Sequence, residues 1–355
     1  MVKSMVFAVP GDLATPTGGY TYDRRIIAEL PGLGWQPQVI DLGDGFPRPS
    51  PTARADACAQ LAGLPQDRPI VIDGLAFGVL PEASQMLGAT HQLVALVHHP
   101  LALETGLSGA DCVSLRASER SALAGVRRVI ASSATTGRLL AADYGVAPDR
   151  LSVVAPGTDR VSPRPSLSDK QKSAGNATLA LLAVGTVVPR KGYDVLVTAL
   201  ARLKDLSWRL TIAGDCERSP ETVRRLRAKI AELALGDRIT FCGAVAPIDL
   251  EQLYASADLF VLASRFEGYG MAYAEAIAHG LPVVGTKAGA IPETIPAEAG
   301  LLVPADNVEA LVAGLRGLIE DREQRARLAA GARATRFPSW REQAALFARA
   351  LEAVG

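Results

Sequence analysis

Short apolar runs alternate along this chain with longer stretches in which apolar residues recur at helical spacing. Unbroken runs of Val, Ile and Leu are typical of strands that are buried on both faces of a parallel sheet. In the first half of the chain, the amphipathic patterns Thr21–Leu30 and Thr135–Tyr144 lie between such runs and predict helices. The predicted strands there are Met5–Val9, Gln38–Leu42, Ile70–Asp73, Leu93–Val97, Arg128–Ser132 and Leu151–Ala155.

This alternation stops at residues 156–176 and resumes after them. The interruption is rich in Pro, Ser and charged residues, which is typical of a linker or an exposed loop. The predicted strands beyond it are Leu179–Val184, Arg209–Ala213, Ile239–Phe241, Leu259–Leu262 and Pro282–Gly285. The predicted helices there are Val195–Lys204, Pro220–Leu233, Leu250–Ala255, Ala272–His279, Val308–Asp321 and Ser339–Val354.

Two α/β units of similar size agree with the length of 355 residues, at roughly 150 residues per domain. We therefore expect an α/β protein with one doubly wound domain over residues 1–160 and a second over residues 175–335. Two such domains would create a cleft between them. Ligands of doubly wound sheets bind beyond the carboxyl ends of the strands.

The composition excludes several classes of protein. Hydrophobic residues make up 48% of the chain, which argues against disorder. Lys plus Arg and Asp plus Glu are both 37, so we expect no nucleic-acid binding through bulk charge. The four cysteines are scattered and only four His are present, which argues against zinc and against a disulfide framework. The longest apolar stretch, residues 177–188, is too short to span a bilayer, and we expect a cytoplasmic protein.

Residues 263–293 carry the strongest signal for a ligand site. A predicted strand ends at a loop that holds Glu267, Gly268 and Gly270, and a predicted helix begins directly after it. Small residues before a helix let backbone N–H groups approach an anion, and the helix dipole favours negative charge there. Glu275 lies about one turn into that helix and could reach a group beside a phosphate, such as a ribose.

A second candidate site follows the strand Leu179–Val184, where Gly185 precedes the cations Arg190 and Lys191. Two adjacent cations can clamp a diphosphate. Taken alone, the motif is more often a basic surface turn. Weaker candidates are strand ends at Gly214 and before Ala244 and Val245, positions where a nucleotide base could bind.

The run E-G-Y-G-M-x-x-x-E-A-x-A-x-G-x-P-V-V, which begins at Glu267, resembles the signature of the retaining GT-B glycosyltransferases of family four. The resemblance implies that Glu267 contacts the hydroxyls of the donor sugar and that Glu275 contacts the ribose. It also implies diphosphate contacts from Arg190 and Lys191. Further donor contacts are implied for the backbone of Gly268, Tyr269, Gly270 and Met271, and of Ala244 and Val245 at the base.

The N-terminal half resembles the family less explicitly. Gly18 and Gly19 follow the first predicted strand, where the family has a Gly-Gly whose N–H groups approach the donor phosphate. A simple βα turn is an equal alternative. The family often has a His followed by Asp at the end of the strand Leu93–Val97, whereas this chain has His98 and His99. Either His could contact the donor sugar, and we favour His98. His99 and Glu104 are weaker candidates for contact with the acceptor.

The resemblance implies a two-domain GT-B enzyme that transfers a hexose from a UDP- or GDP-sugar with retention of anomeric configuration. The first domain would bind the acceptor, the second would bind the donor, and the helix within residues 336–355 would return to the first. The acceptor would be a sugar, a lipid-linked molecule or another small molecule. The chain has no Asp-x-Asp pair, which fits a reaction without metal, and no cofactor is expected.

Several alternatives stay open at this point. The chain could be another GT-B enzyme, such as a nucleotide-sugar epimerase or a phosphorylase, or an inactive sugar-nucleotide binding module. A nicotinamide dehydrogenase is disfavoured because no G-x-G-x-x-G follows the first strand. Ala290 stands where the family usually has a second Gly, and its methyl could narrow the donor pocket. Arg116 and Arg120 could contact an anionic membrane at its inner face, although a solvated helix face is the simpler interpretation.

Overall fold

A computed structural model describes residues 2–159 and 178–354. The chain divides into two compact units. Unit 1 comprises Met1–Gly157 together with Pro338–Gly355, and unit 2 comprises Thr158–Phe337. Most of the predicted linker, residues 156–176, lies outside the described residues. Each unit is built on one six-stranded sheet.

The sheet of unit 1 is parallel throughout, with strand order β2-β1-β3-β4-β5-β6. Its interior strands are mostly apolar and buried, as a parallel sheet covered on both faces requires. The edge strand β2 has exposed positions and contains Pro37, a residue that edge strands tolerate. The strands are β1 (Lys3–Val9), β2 (Trp35–Asp41), β3 (Pro69–Asp73), β4 (Gln92–Val97), β5 (Arg128–Ala131) and β6 (Leu151–Val153).

In unit 1, most helices begin at a residue whose side chain accepts a hydrogen bond from an N–H group of the first turn. Thr17 caps α1, and Ser108 forms a capping box with Asp111 at the start of α5. The last helix, α14, packs in this unit, where Phe347 stacks on Phe7 of β1. The helices are α1 (Gly18–Glu29), α2 (Pro51–Ala62), α3 (Gly74–Phe77), α4 (Pro81–Leu87), α5 (Gly109–Ala124), α6 (Ala134–Tyr144) and, at the end of the chain, α14 (Trp340–Glu352).

The sheet of unit 2 is also parallel and has the order β12-β11-β10-β7-β8-β9. Its strands are β7 (Leu179–Val184), β8 (Trp208–Ala213), β9 (Ile239–Gly243), β10 (Leu259–Val261), β11 (Val283–Thr286) and β12 (Gly300–Val303). Its helices are α7 (Tyr193–Ala201), α8 (Pro220–Glu232), α9 (Pro247–Ser256), α10 (Met271–Ala278), α11 (Ile291–Thr294), α12 (Val308–Glu320) and α13 (Arg322–Ala334). The strands β7 and β10 are parallel neighbours, so the loops that follow them lie side by side at the carboxyl edge of the sheet.

Among residues 2–159 and 178–354, no helix has the length and apolar character needed to cross a membrane. All four cysteines are free thiols. Arg127 donates to the Val354 carbonyl at 3.2 Å, and Arg128 donates to the Ser152 hydroxyl at 2.9 Å.

The predicted elements agree with the structure at most positions, and the differences have local causes. The first helix begins at Gly18 rather than Thr21, because the Thr17 hydroxyl caps it three residues earlier. Helix α5 was not delimited from the sequence, because its buried residues are confined to the C-terminal half of the helix. The strand β12 and the helices α2, α4 and α13 were not predicted either.

Candidate active site

The two cations predicted to clamp a diphosphate lie in a rigid turn after β7. Pro189–Lys191 forms one turn of 3-10 helix, which ends at Gly192 with a left-handed φ of 65°. A β-carbon at Gly192 would overlap the Ala263 carbonyl oxygen, so the turn packs against the end of the neighbouring strand β10 only with glycine there. The sequence therefore brings Arg190 and Lys191 to the loop that follows β10.

Arg265 fastens this turn to that loop. Its backbone N–H donates to the Arg190 carbonyl at 2.7 Å, and its guanidinium donates to the Pro189 carbonyl at 2.6 Å. The same guanidinium pairs with Asp194 at 2.8 Å and Asp306 at 2.7 Å. Arg265 carried no signal in the sequence, because an arginine after a strand is most often a solvated side chain.

Glu267 is the carboxylate shared by both cations. Lys191 Nζ donates to Glu267 Oε1 at 2.7 Å, and Arg190 donates to Glu267 Oε2 at 2.9 Å. The Ser264 hydroxyl also donates to Oε1 at 2.7 Å. Glu267 is buried, while the side chains of Arg190 and Lys191 are 15% and 14% exposed. The three charged groups therefore form one cluster with a formal charge of +1.

The cluster keeps Glu267 ionised. Burial alone would raise the pKa of this carboxyl, but Lys191 and Arg190 outweigh burial and hold the pKa at about 2. The loop backbone is held as well, since Ala290 N–H donates to the Glu267 carbonyl at 2.9 Å. This approach requires Gly289, whose φ is 54° and whose β-carbon would overlap that same carbonyl. Ala290 is fully buried, so its methyl packs in the core.

Helix α10 begins directly after this loop. Gly270 is its N-cap, no acidic residue lies in its first turn, and its N-terminal N–H groups can receive an anion. Glu275 lies on this helix as expected, and its Oε2 accepts a 2.8 Å hydrogen bond from the Tyr254 hydroxyl of α9. Burial raises the pKa of Glu275, and the Tyr254 hydrogen bond acts in the opposite direction. The ring of Tyr254 stacks on His279 at 4.7 Å.

The remaining candidates of unit 2 lie at neighbouring strand ends. Gly185 follows β7, and the backbone of Gly214, after β8, packs against the Gly185 carbonyl. The Gly185 carbonyl also accepts a 2.7 Å hydrogen bond from Tyr193. Ala244 is exposed and Val245 is half-buried in the loop after β9. These positions therefore lie together at the carboxyl ends of the neighbouring strands β7, β8 and β9.

In unit 1, Gly18 and Gly19 are the first residues of α1. The first N–H groups of a helix have no partner within the helix, and Thr17 caps only the N–H of Tyr20. A β-carbon at Gly19 would lie 3.2 Å from Cδ2 of the His98 ring. The structure thus places the predicted Gly-Gly and His98 side by side.

His98 is bound to two aspartates that the sequence analysis missed. Its Nε2 lies 3.1 Å from Asp23 Oδ1 and 3.4 Å from Asp73 Oδ2. The ligand-type atoms of these three residues all lie within 4.8 Å of one another, a spacing that could also hold a metal ion. Asp73 is the last residue of a predicted strand, so its position at the sheet edge was a usable signal. Asp23 gave none, because it lies within a helical pattern.

His99 points to a different partner, Glu104, with Nε2 3.6 Å from Oε2. His99 is 24% exposed and Glu104 is 42% exposed. The two histidines that the sequence could not separate therefore have different surroundings: His98 lies beside the α1 N-terminus and His99 lies beside the loop that contains Glu104.

The sequence is similar to those of known glycosyltransferases. Residues 167–335 match the family model described as "Glycosyl transferases group 1". An MMP alpha-(1->4)-mannosyltransferase of Mycolicibacterium hassiacum is 30% identical over 319 residues, which are 85% of this chain and 74% of the relative. A D-inositol 3-phosphate glycosyltransferase of Acidothermus cellulolyticus is 32% identical over 225 residues, which are 60% of this chain. That match spans only 50% of the relative's own length.

Among solved structures, HepE of Anabaena in complex with UDP-glucose has a TM-score of 0.78 and 23% sequence identity. The match covers 98% of this chain and 100% of HepE. At this level of identity, the likeness shows a shared fold.

Proposed function

The chain belongs to the glycosyl transferases group 1 family and has the GT-B fold, and from that premise we propose that it transfers a hexose from a nucleoside diphosphate sugar with retention and without metal. The observation that carries this proposal is the cluster of Arg190, Lys191 and Glu267 in unit 2. Two cations held in place by one buried carboxylate leave a surplus positive charge, which suits a diphosphate. HepE, which has a similar fold, was solved in complex with UDP-glucose, and this supports a UDP- or GDP-sugar here.

We assign the donor contacts of unit 2 by position. Arg190 and Lys191 bind the diphosphate, and Glu267 contacts the hydroxyls of the transferred sugar. Glu275 contacts the ribose, and Tyr254 orients its carboxyl through the 2.8 Å hydrogen bond. The backbone at the start of α10 also contacts the diphosphate, through Gly268, Tyr269, Gly270 and Met271. The nucleotide of the donor lies near the strand-end residues Gly185, Gly214, Ala244 and Val245.

Catalysis in this proposal is electrostatic. The bond between the anomeric carbon and the diphosphate oxygen breaks while a bond to the acceptor oxygen forms on the same face of the sugar. The acceptor hydroxyl gives its proton to the departing diphosphate oxygen, so no protein nucleophile is required. Hydrogen bonds to Glu267 fix Arg190 and Lys191. Stabilising the leaving group therefore costs little reorganisation in the transition state.

In unit 1 we propose that Gly18, Gly19 and His98 contact the donor and that His99 and Glu104 face the acceptor. The acceptor is a sugar, a lipid-linked molecule or another small molecule. Inositol 3-phosphate should be among the first acceptors assayed, because one relative is a D-inositol 3-phosphate glycosyltransferase. We also propose that the protein lies in the cytoplasm and that α5 contacts the inner face of the membrane.

Calorimetric titration of the full chain with UDP, GDP and the free nucleosides tests the diphosphate clamp. Changing both Arg190 and Lys191 to Gln keeps polar contacts to Glu267 but removes the charges. Charge-assisted hydrogen bonds are worth about 1.5–3 kcal/mol each, so we expect diphosphate affinity to fall on the order of 100-fold. Nucleoside affinity should change little. The matched control is Arg225→Gln on the exposed face of α8, where the side chain is 78% exposed.

Equal losses for nucleoside and diphosphate would disprove the clamp. Loss of binding or turnover on adding a chelator would disprove the metal-independent reaction. The anomeric configuration of the first product, measured by NMR from the coupling at the anomeric carbon, decides between retention and inversion.

A further inference from the structure

Three side chains to which we assign donor or acceptor contacts lie in one segment that follows β4. They are His98, His99 and Glu104, and we call residues 98–104 the β4 loop. Its backbone contains one turn of 3-10 helix, Leu101–Leu103. The directions of the three side chains therefore depend on how firmly this turn is held in unit 1.

The first N–H of this turn finds its partner on another helix. The first N–H groups of a helix lack a partner within that helix, and here the preceding residue is Pro100, whose side chain makes no cap. Leu101 is only 5% exposed, so water does not replace the missing cap. Instead, Glu119 Oε2 of α5 accepts the Leu101 N–H at 3.1 Å. Helix α5 thus caps the β4 loop from 18 residues further along the chain.

Glu119 lies in an enclosed space between three elements and is only 1% exposed. Gly78, which directly follows α3, makes the room for it. A β-carbon at Gly78 would lie 2.7 Å from Leu101 Cδ1 and 3.4 Å from Glu119 Cγ. The Ser118 hydroxyl donates to the Gly78 carbonyl at 2.8 Å, which joins α5 to the end of α3. The carboxyl is therefore held in the protein interior, against the backbone of the β4 loop.

The surroundings of Glu119 hold it in the neutral form. In the described part of the chain, the polar groups that face it are the Leu101 N–H and the Tyr144 hydroxyl of α6. Both lower the pKa of the Glu119 carboxyl, but burial outweighs them and raises the pKa to about 8. Arg116 lies over the Tyr144 ring, 6.0 Å from its centroid, rather than against the carboxyl. Glu119 is therefore protonated at pH 7.

The hydrogen-bonding groups around the carboxyl also fit a carboxylic acid. Glu119 Oε1 and the Tyr144 hydroxyl are both buried, and neither completes a hydrogen bond of regular geometry with a described residue. An acid proton on Oε1 has the neighbouring phenol oxygen as its acceptor, whereas an ionised carboxylate would leave a charge buried without a cation. A neutral carboxyl offers one acceptor and one donor, as the side-chain amide of Gln does. Gln is therefore the conservative substitute for Glu119, and an apolar side chain of similar size is not.

We propose that Glu119, as a neutral carboxylic acid, is a positioning residue that anchors the β4 loop and thereby sets the geometry of the acceptor contacts. The anchored Leu101 N–H lies between His99 and Glu104, whose Nε2 and Oε2 atoms are 3.6 Å apart. Release of this N–H would let the turn move and would separate the two side chains. The role toward the acceptor rests on the proposed function, whereas the anchor itself does not.

Hydrogen exchange of the full chain, measured by mass spectrometry on peptides that contain Leu101, tests the anchor without any ligand. At pH 7 we expect Glu119→Leu to lower the protection of the β4 loop about tenfold or more, because the buried Leu101 N–H loses its acceptor. Glu119→Gln keeps an acceptor and should stay within about twofold of wild type. The matched control is Glu82→Leu on α4 of the same unit, where the Glu82 side chain is 51% exposed.

The pH dependence of this protection tests the neutral carboxyl. Opening of the loop exposes Glu119 to water, where an ordinary Glu has a pKa of about 4.3. Because the folded pKa is raised to about 8, protection is fully present below about 4.3 and is lost as the pH rises towards 8, by up to about tenfold per pH unit. Glu119→Gln cannot ionise, so its protection, corrected for the intrinsic exchange rate, should not change across that window.

The two variants have separate failure outcomes. Equal protection of the β4 loop in wild type and Glu119→Leu would overturn the anchor. Equal pH dependence in wild type and Glu119→Gln would overturn the neutral carboxyl. The comparison with Glu119→Gln stays decisive even where Glu119→Leu does not fold.

Kinetics with UDP-glucose and inositol 3-phosphate test the link to the acceptor. We expect Glu119→Leu to raise KM for inositol 3-phosphate about tenfold and to leave the calorimetric affinity for UDP unchanged, whereas Glu119→Gln should restore the wild-type KM. An unchanged KM, or an equal weakening of UDP binding, would overturn the positioning role. The Arg190 and Lys191 test in unit 2 does not involve Glu119, so failure of this proposal is distinguishable from failure of the proposed function.

Discussion

The two units share a six-stranded parallel sheet, yet they build opposite charge clusters at the ends of their strands. In unit 2, two cations surround one buried carboxylate, Glu267, whose pKa falls to about 2. In unit 1, two buried carboxylates surround one imidazole, His98, whose pKa rises to about 10. In each cluster the minority charge lies at the centre and is locked in its ionised form, because its neighbours overcome the cost of burial.

The two clusters differ in the charged groups that they expose to a ligand. The unit 2 cluster has a formal charge of +1, and its cations are partly exposed. In the unit 1 cluster, the two carboxylates are buried and only the imidazole of His98 reaches solvent.

The largest effect is expected for Glu267→Gln, which removes the central charge of the unit 2 cluster. Arg190 and Lys191 lose their shared partner, so we expect turnover to fall on the order of 100- to 1,000-fold and stability to fall by about 3 kcal/mol. Turnover with UDP-glucose and urea unfolding measure the two effects. The control is Glu309→Gln, which breaks the exposed pair with Arg202, in which Glu309 is 77% exposed. Wild-type turnover in the Glu267 variant would remove Glu267 from the donor site.

The stability loss has a pH signature. The folded pKa of Glu267 is about 2, below an unfolded value of about 4.3. The contribution is therefore present above the unfolded pKa and lost as the pH falls from about 4.3 towards 2. The difference in unfolding free energy between wild type and Glu267→Gln should shrink across that window. A difference that stays constant from pH 6 to pH 2.5 would show that the ion pairs do not cause it.

A smaller effect is expected for Gly19→Val, which targets the unit 1 cluster. The added β-carbon meets His98 Cδ2 at 3.2 Å, so the ring must shift. A displaced catalytic contact can cost on the order of 100-fold, and we expect turnover to fall about 10- to 100-fold. The matched control is Gly109→Val at the start of α5, where a β-carbon meets nothing within 4 Å. Full activity in Gly19→Val would mean that unit 1 takes no part in donor binding through this helix.

The smallest effect is expected for Tyr254→Phe, which removes one hydrogen bond from Glu275. A single hydrogen bond contributes about 1 kcal/mol, so we expect UDP affinity to fall about fivefold. The pKa of Glu275 should rise further, because the Tyr254 hydrogen bond now lowers it. Comparing UDP with its 2′,3′-dideoxy analogue provides the control, since the preference for the ribose hydroxyls should shrink in the variant. An equal loss for both ligands would contradict the ribose contact.

Local pattern was sufficient for much of the fold. The strand β7 has the predicted bounds Leu179–Val184, and most other predicted strands differ from the structure by one or two residues. Buried parallel strands are continuous apolar runs, and such runs are visible in the sequence without any tertiary information. Helix α5 lacked an equivalent signal, because the residues that it buries do not form an apolar stripe along its length.

Local residue spacing was enough to predict the two α/β units, the family, and the motif residues Arg190, Lys191, Glu267 and Glu275. The pairing of these side chains emerged only from the folded chain. Glu267 lies 76 residues from Lys191, and Asp23 lies 75 residues from His98. Lys191 and Glu267 meet because neighbouring parallel strands bring their carboxyl ends to one edge of the sheet whatever their separation along the chain, whereas Asp23 reaches His98 from helix α1. Whether a buried carboxylate meets two cations or one imidazole there depends on strand order and helix packing, which the spacing of residues in the sequence does not specify.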